Sequence, residues 1–154
     1  MTTNEDIAGL EYDWLAVDAE GLVGLLSTAG GGYAPDAFLA DIDAFDAAIA
    51  MILSLPTCTT TATCSRELPA ARANTWKLMA ERGLFAFDSD PHAGPYRLIA
   101  APHRPVSLED LPPMVRGVAG RVVLSTVASR VARAISERDI RQQESGRRAS
   151  DNGQ

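Results

Sequence analysis

The chain has 154 residues, of which 46% are hydrophobic and 22% charged, and its formal net charge is −6. This length is typical of one domain with a hydrophobic core, and the composition argues against wholesale disorder. The first residues lack a secretory signal pattern and no apolar run is long enough to span a bilayer. We therefore expect a cytoplasmic protein without membrane contact.

The first predicted element is a β-hairpin. Apolar and polar residues alternate over residues 12–18, as in a half-buried strand. Residues 19–21 supply a turn, in which Gly21 suits a positive φ, and residues 22–28 form the second strand. Three glycines at 30–32 interrupt the pattern and predict a loop.

A long helix is predicted from Pro35 to Ser54. Pro is tolerated in the first helical turn, and Asp36 favours the positive end of the helix dipole. The apolar stripe of this helix recurs at helical spacing and consists of Phe38, Ile42, Phe45, Ile49 and Ile52. Residues 57–65, a Thr-rich segment, show no clear periodicity and are predicted to form a loop.

The second half contains a helix and three strands by the same criteria. The helix begins at Pro69 and ends before Gly83, which is a natural residue just past a helix end. Two apolar strands follow at residues 84–87 and 96–101, and a last strand is predicted at 121–126.

The order of these elements predicts an α+β fold. In it, an antiparallel sheet built from two hairpins carries the two main helices on one face. Residues 1–140 form a single domain, and residues 141–154, which are polar, form a disordered C-terminal tail.

The charge is distributed unevenly along the chain. Residues 1–65 hold ten Asp and Glu and no Lys or Arg, whereas residues 66–154 hold all fourteen Lys and Arg against ten acids. Such an acidic half repels nucleic acid and attracts a basic partner. Mutual neutralisation of the two halves within the fold is the alternative explanation.

Three motifs carry candidate chemistry, and each has a simpler structural explanation. The triplet Asp88-Ser89-Asp90 is similar to the strand-end motif of aspartate-nucleophile phosphatases, but His92 stands where those enzymes have Thr or Val. The glycines at 30–32 lack the lysine and the ending of a phosphate loop. The C-terminal arginines are mixed with acids and lack aromatic residues for base stacking. We therefore predict no enzymatic activity, no cofactor and no nucleic-acid binding.

The two cysteines, Cys58 and Cys64, and the two histidines, His92 and His103, do not form a metal motif. No further Cys or His lies near the cysteine pair, and the turn around His92 is explained by its Asp and Pro content. We expect two free thiols in a reducing compartment, with a disulfide as the alternative for an exported protein.

A composite pattern links the predicted hairpins. Residues 12–21 read Tyr-Asp-Trp-Leu-Ala-Val-Asp-Ala-Glu-Gly and lead into Ser-Thr-Ala-Gly at 27–30 and then Pro35. The second part is Gly-Leu-Phe-Ala-Phe-Asp at 83–88, followed by the strand and prolines of 96–105. Over roughly a third of the chain, this pattern resembles that of small bacterial immunity proteins of polymorphic and contact-dependent toxin systems.

The resemblance implies a cognate inhibitor that binds a secreted toxin domain and occludes its active site. Many such toxin domains are basic because they attack nucleic acid, and an acidic partner associates with them rapidly through electrostatic steering. The expected contact residues are the acids of the hairpin and of the first long helix: Asp13, Asp18, Glu20, Asp36, Asp43 and Asp46. An interaction or assembly module without a toxin partner is the alternative.

Overall fold

A computed structural model gives the structure of residues 1–64 and 73–152. The helices are α1 (Asn4–Ile7), α2 (Asp36–Leu39), α3 (Ile42–Ser54), α4 (Ala73–Ala80), α5 (Pro113–Ala119) and α6 (Glu137–Asn152). The strands are β1 (Asp13–Asp18), β2 (Val23–Ser27), β3 (Thr61–Cys64), β4 (Phe85–Asp88), β5 (Tyr96–Pro102), β6 (Val123–Leu124) and β7 (Ala134–Ile135). The fold is α+β, as predicted.

The sheet is mixed, with strand order β3-β5-β4-β2-β1-β6, and β7 pairs with β5. Both predicted hairpins are present, because β1 pairs antiparallel with β2 and β4 with β5. The prediction of a purely antiparallel sheet is wrong, since β2 runs parallel to β4 and β1 runs parallel to β6. Parallel pairing requires a long crossover, and the chain between β2 and β4 provides one through α2, α3, β3 and α4.

The register of the strands assigns side chains to the two faces of the sheet. Trp14, Leu26 and Phe87 are paired across β1, β2 and β4 and share one face. Trp14 is fully buried there, and its ring packs edge to face against Tyr96, with centroids 5.5 Å apart. Residues 127–140 contribute to the same core through Val127, Ile135 and Ile140.

The opposite face of the sheet contacts α4. Asp13, Ser27 and Asp88 lie on this face, and Trp76 of α4 hydrogen-bonds to Ser27. Helix α4 contacts β4 and β5, while α3 contacts β1, α4 and α5. Through Trp76, helix α4 reaches the end of the sheet where Asp13 begins β1.

The predicted helix from 35 to 54 is divided into α2 and α3. Asp41 has φ −155°, which is not helical, and its carboxylate accepts a hydrogen bond from the N–H of Ala44, so it caps α3. The predicted apolar stripe is confirmed for its buried members: Phe38, Phe45, Ile49 and Ile52. Ile42, at the first position of α3, is only partly buried.

Two segments predicted to lack regular structure contain a strand and a helix. β3 lies in the Thr-rich segment and pairs with β5, so the predicted loop is partly strand. Helix α6 occupies the segment predicted as a disordered tail, and its first turn is closed by a capping box between Ser136 and Asp139. The start of the second predicted helix, at Pro69, lies outside the described residues. Cys58 is an exposed free thiol.

Candidate interaction surface

Three side chains lie in a row at one end of the sheet. Asp13 begins β1, Ser27 ends β2 and Asp88 ends β4, and the register pairs Asp13 with Ser27 and Ser27 with Asp88. Together with Glu11 and Trp76, they line a cavity of about 270 Å³. The parallel pairing of β2 with β4 is what brings Asp88 to the same end as Asp13.

A chain of hydrogen bonds fixes the Asp13 carboxylate. The indole N–H of Trp76 donates to Ser27 Oγ over 3.1 Å, and the Ser27 hydroxyl donates to Asp13 Oδ1 over 2.5 Å. Ser27 is itself buried. The position of the carboxylate is therefore determined by α4 and β2 together, before any partner arrives.

The electrostatic environment of Asp13 is unfavourable to its charge. Burial raises the pKa of Asp13, the hydrogen bond from Ser27 opposes this effect, and the charges of Asp46 and Glu11 raise the pKa further. The carboxylate is thus held in a partly desolvated place among other negative charges. A cationic group placed beside it would relieve this repulsion.

The acidic character continues beyond this cavity. A second cavity of about 210 Å³ shares Glu11 and Asp88 with the first and adds Asp90 and Arg97. Arg97 lies 3.6 Å from Asp90 and is the one cation among the residues that line these two cavities in the described part of the chain. We name Glu11, Asp13, Asp46 and Asp88 the acidic rim.

Two of the predicted contact residues, Asp13 and Asp46, belong to the acidic rim. Asp43 lies one helical turn before Asp46 on α3, and both side chains are exposed. Within the described residues, neither Asp43 nor Asp46 makes an ion pair. They therefore extend the acidic rim along α3.

Asp18 is buried, with 5% of its surface exposed, and its carboxylate is fully used inside the fold. Oδ1 accepts from the N–H groups of Glu20 (2.8 Å) and Leu22 (2.9 Å), and Oδ2 accepts from the N–H of Ser129 (2.8 Å). Asp18 thus closes the β1–β2 turn and attaches the chain after β6. The structure does not place it on a contact surface.

Glu20 and Asp36 lie apart from the acidic rim. Glu20 follows β1, whose six residues span about 17 Å, so it lies at the opposite end of the strand from Asp13. It is exposed and lies 3.9 Å from Arg130. Asp36 is partly buried at the start of α2, where its N–H donates to Glu144.

Internal neutralisation explains part of the charge asymmetry. Among the described residues, two ion pairs join the halves of the chain: Asp41 with Arg121 at 2.9 Å and Glu20 with Arg130 at 3.9 Å. Both acids lie outside the acidic rim. Part of the charge asymmetry is therefore neutralised inside the fold, at Glu20 after β1 and at Asp41 before α3.

The glycine loop lines a cavity of about 500 Å³ between α1 and the start of α6. A Cβ on Gly31 would collide with Asp90 O and lie 2.5 Å from the N–H nitrogen of Ala93, and a Cβ on Gly32 would lie 2.6 Å from Tyr96 Oη. The glycines are thus required by close packing. Polar groups of this cavity, such as those of Asn4, hydrogen-bond to the neighbouring backbone.

Sequence reasoning missed Glu11, Ser27, Trp76 and Asp88 as members of this surface. Asp88 was noticed only as part of a phosphatase-like triplet, whose other acid, Asp90, accepts from the N–H of His92 in the following turn. In the part of the chain that the structure describes, no three His, Cys, Asp or Glu side chains are grouped so that they could hold a metal ion.

No described helix combines the length and the apolar character needed to cross a membrane. Comparisons with protein-family models, with curated proteins and with solved structures find no match for this chain.

Proposed function

We propose that this protein is an immunity protein that binds a basic toxin domain through the acidic rim and occludes the active site of the toxin. The observation that carries the proposal is the placement of the Asp13 carboxylate. It is partly desolvated and lies in the field of Asp46 and Glu11, and these effects raise its pKa. Perturbed ionisable groups of this kind cluster at functional sites.

A basic partner would convert this repulsion into attraction. A Lys or Arg side chain of the partner that entered the cavity beside Asp13 would offset the burial of its carboxylate and the charge of Asp46, and would lower the pKa of Asp13 again. Asp43 and Asp46, which are exposed on α3, extend the negative potential outwards and would steer a positively charged domain towards this end of the sheet.

The resemblance to immunity proteins supports a toxin as the partner. The residues that carry it form β1, the turn after it and the end of β2, and these elements contribute Asp13 and Ser27 to the acidic cavity. We propose residence in the cytoplasm, where a toxin that attacks nucleic acid would act. An assembly module without a toxin partner would use the same surface and differs only in the identity of the basic protein.

A non-enzymatic role fits the chemistry of the cavity. The hydroxyl of Ser27 donates to Asp13 and accepts from Trp76, so both of its hydrogen-bonding directions serve to position the carboxylate. Nucleophilic catalysis by Ser generally requires an adjacent base, most often His, and neither histidine lines this cavity.

The test uses the protein encoded directly upstream of the gene, which the proposal expects to contain a toxin domain. The variant Asp43→Lys/Asp46→Lys reverses the charge on α3, and Glu109→Lys is the matched control. Glu109 is exposed and adjacent to Leu108, whose N–H donates to Gly21 O at the other end of the hairpin. Affinity is measured by titration calorimetry between 50 and 300 mM salt, concentrations chosen to vary the screening, and protection is measured by growth during toxin expression.

The double reversal should weaken binding by at least about 30-fold, since loss of a buried charged contact costs about 2–5 kcal/mol, and should flatten the salt dependence. The control variant should bind like the wild type. Unchanged affinity and salt dependence in the double variant would contradict the acidic rim as the contact surface. An upstream gene without a secreted toxin, together with no protection, would favour the assembly module.

A further inference from the structure

The described side chains of α6 attach this helix to the rest of the protein at two separate places. The first is its beginning, where Asp139 caps the first turn with Ser136 and accepts from the Thr126 hydroxyl over 2.9 Å. Ile140 is fully buried in the core. These contacts fix residues 136–140 to the hydrophobic core and to the segment after β6.

The second attachment is made by the Glu144 side chain. Its Oε1 accepts from the N–H of Asp36 over 2.8 Å, and its Oε2 accepts from the Tyr33 hydroxyl over 3.0 Å. The guanidinium of Arg141 lies 4.4 Å from the centre of the Tyr33 ring, a cation–π contact. Both side chains therefore act on one short segment, residues 33–36.

The start of α2 depends on α6 for the hydrogen bond of one N–H group, that of Asp36. The residue before α2 is Pro35, whose side chain makes no capping hydrogen bond. Glu144 takes the role that an N-cap side chain normally has and satisfies the N–H of Asp36 from a distant part of the chain. Each partner thus stabilises the other: the carboxylate orders the start of α2, and α2 holds the helix in place.

The sequence of α6 beyond Ile140 is polar. Residues 141–152 contain one Gly and no large apolar side chain, and Arg141 and Gln142 are exposed. A helix of this length is only marginally stable in isolation, because most helical stability in proteins comes from packing of an apolar face. Among the side chains of this segment that the structure describes, Arg141 and Glu144 contact Tyr33 and Asp36.

We infer that residues 141–152 form a strap that is latched by Glu144 and opens as a unit about a hinge after Ile140, while the sheet remains folded. The latch consists of Glu144 with Tyr33 and the N–H of Asp36, and Arg141 over Tyr33 reinforces it. Opening uncovers the ring and hydroxyl of Tyr33, which also lines the cavity beside the glycine loop. This device is independent of the proposed immunity function and of the acidic rim.

Hydrogen exchange by mass spectrometry on the full chain tests the strap without any partner. Glu144→Gln retains the shape of the side chain but removes its charge and one of its two acceptor oxygens. Exchange in residues 141–152 should accelerate by about 10- to 100-fold, the factor expected for loss of a charge-assisted hydrogen bond, with β1 and β2 unchanged. Tyr33→Phe removes the hydroxyl alone and should accelerate exchange in the same residues by a smaller factor.

Glu137→Gln is the matched control, because it makes the same chemical change in the same helix. It breaks only the i,i+4 pair with Arg141 (2.7 Å), and the expected acceleration is about 2-fold. The inference is overturned if Glu144→Gln and Tyr33→Phe both leave exchange in 141–152 at the wild-type rate. It is also overturned if both variants accelerate exchange in 141–152 and in β1 by the same factor, since the helix would then open only with the whole fold.

Discussion

Replacement of Asp18 by Ala should destabilise the protein more than any other single change at an acidic residue of the hairpin. The carboxylate accepts hydrogen bonds from three N–H groups, and those of Leu22 and Ser129 belong to buried residues. Without the carboxylate these two donors have no replacement partner, whereas the N–H of Glu20 is near solvent.

The magnitude follows from the two buried donors. A buried donor without a partner costs about 1–3 kcal/mol, so Asp18→Ala should lower the free energy of unfolding by about 2–6 kcal/mol. Asp18→Asn keeps one acceptor oxygen for the turn but places its NH₂ group against the N–H of Ser129, so we expect a loss of about 1–3 kcal/mol. The stability of a domain of this size is typically about 5–15 kcal/mol.

Urea denaturation followed by Trp fluorescence measures this change, because Trp14 and Trp76 are both within the folded core or its border. With a slope of about 1–3 kcal/mol per M, the midpoint for Asp18→Ala should fall by about 1 M or more. Glu20→Ala is the control, since Glu20 is exposed and its pair with Arg130 is long at 3.9 Å, and its effect should stay within about 0.5 kcal/mol. An Asp18→Ala midpoint equal to that of the control would refute the assignment of Asp18 as a structural carboxylate.

Three further changes test separate parts of the structure. Asp13→Asn should raise the free energy of unfolding at pH 7, because the raised pKa makes ionisation of Asp13 more costly in the folded than in the unfolded chain. In a pH series of denaturation curves this gain should disappear as the pH falls below about 4, where the carboxyl is neutral in both states. Gly31→Ala should lower the stability of the protein by about 1–3 kcal/mol through overpacking. Gly117→Ala, with open space around its Cβ in α5, should raise the stability by about 0.5–1 kcal/mol, and thermal melts measure both changes. Tyr96→Phe removes the hydroxyl that accepts from Trp14 Nε1 and donates to Tyr33 O. This change should lower the stability by about 1–3 kcal/mol and shift the Trp fluorescence. No change in either quantity would contradict the role of the Tyr96 hydroxyl in joining Trp14 to Tyr33.

Local patterns in the sequence were sufficient for the elements that depend on neighbouring residues. The first hairpin was predicted from alternation and from Gly21, which has φ +83° in the structure. The apolar stripe on the first long helix was predicted from its period, and Phe45, Ile49 and Ile52 are buried. In these cases the determinants lie within a few residues of each other.

The direction of strand pairing could not be predicted in the same way. Parallel pairing of β2 with β4 depends on contacts between segments far apart in the chain, for which turn residues give no signal. The helical conformation of α6 is a similar case, because Glu144 hydrogen-bonds to Tyr33 and Asp36, which are 111 and 108 residues away in the chain. Composition alone describes the helix as a polar tail.

The sequence predicted only some residues of the candidate surface. The two acids of β1 show why. Asp13 and Asp18 belong to the same β1, but they lie at opposite ends and on opposite faces. Asp13 borders a cavity, whereas Asp18 is enclosed by the chain after β6. A count of acids cannot separate these two positions, and recognition of Asp88 required the parallel pair.

The parallel alignment of β2 and β4 also has a kinetic consequence. The cavity beside Asp13 is lined by the ends of β1, β2 and β4, and β4 joins β2 only after the long crossover has closed. Such non-local pairing is intrinsically slow, because the entropic cost of loop closure arises before the stabilising contacts form. A chain still in synthesis, from which β4 has not emerged, holds Asp13 and Ser27 without Asp88. The complete negative surface is therefore a late product of folding, and a newly made chain would become competent to bind a basic partner only once its sheet has closed.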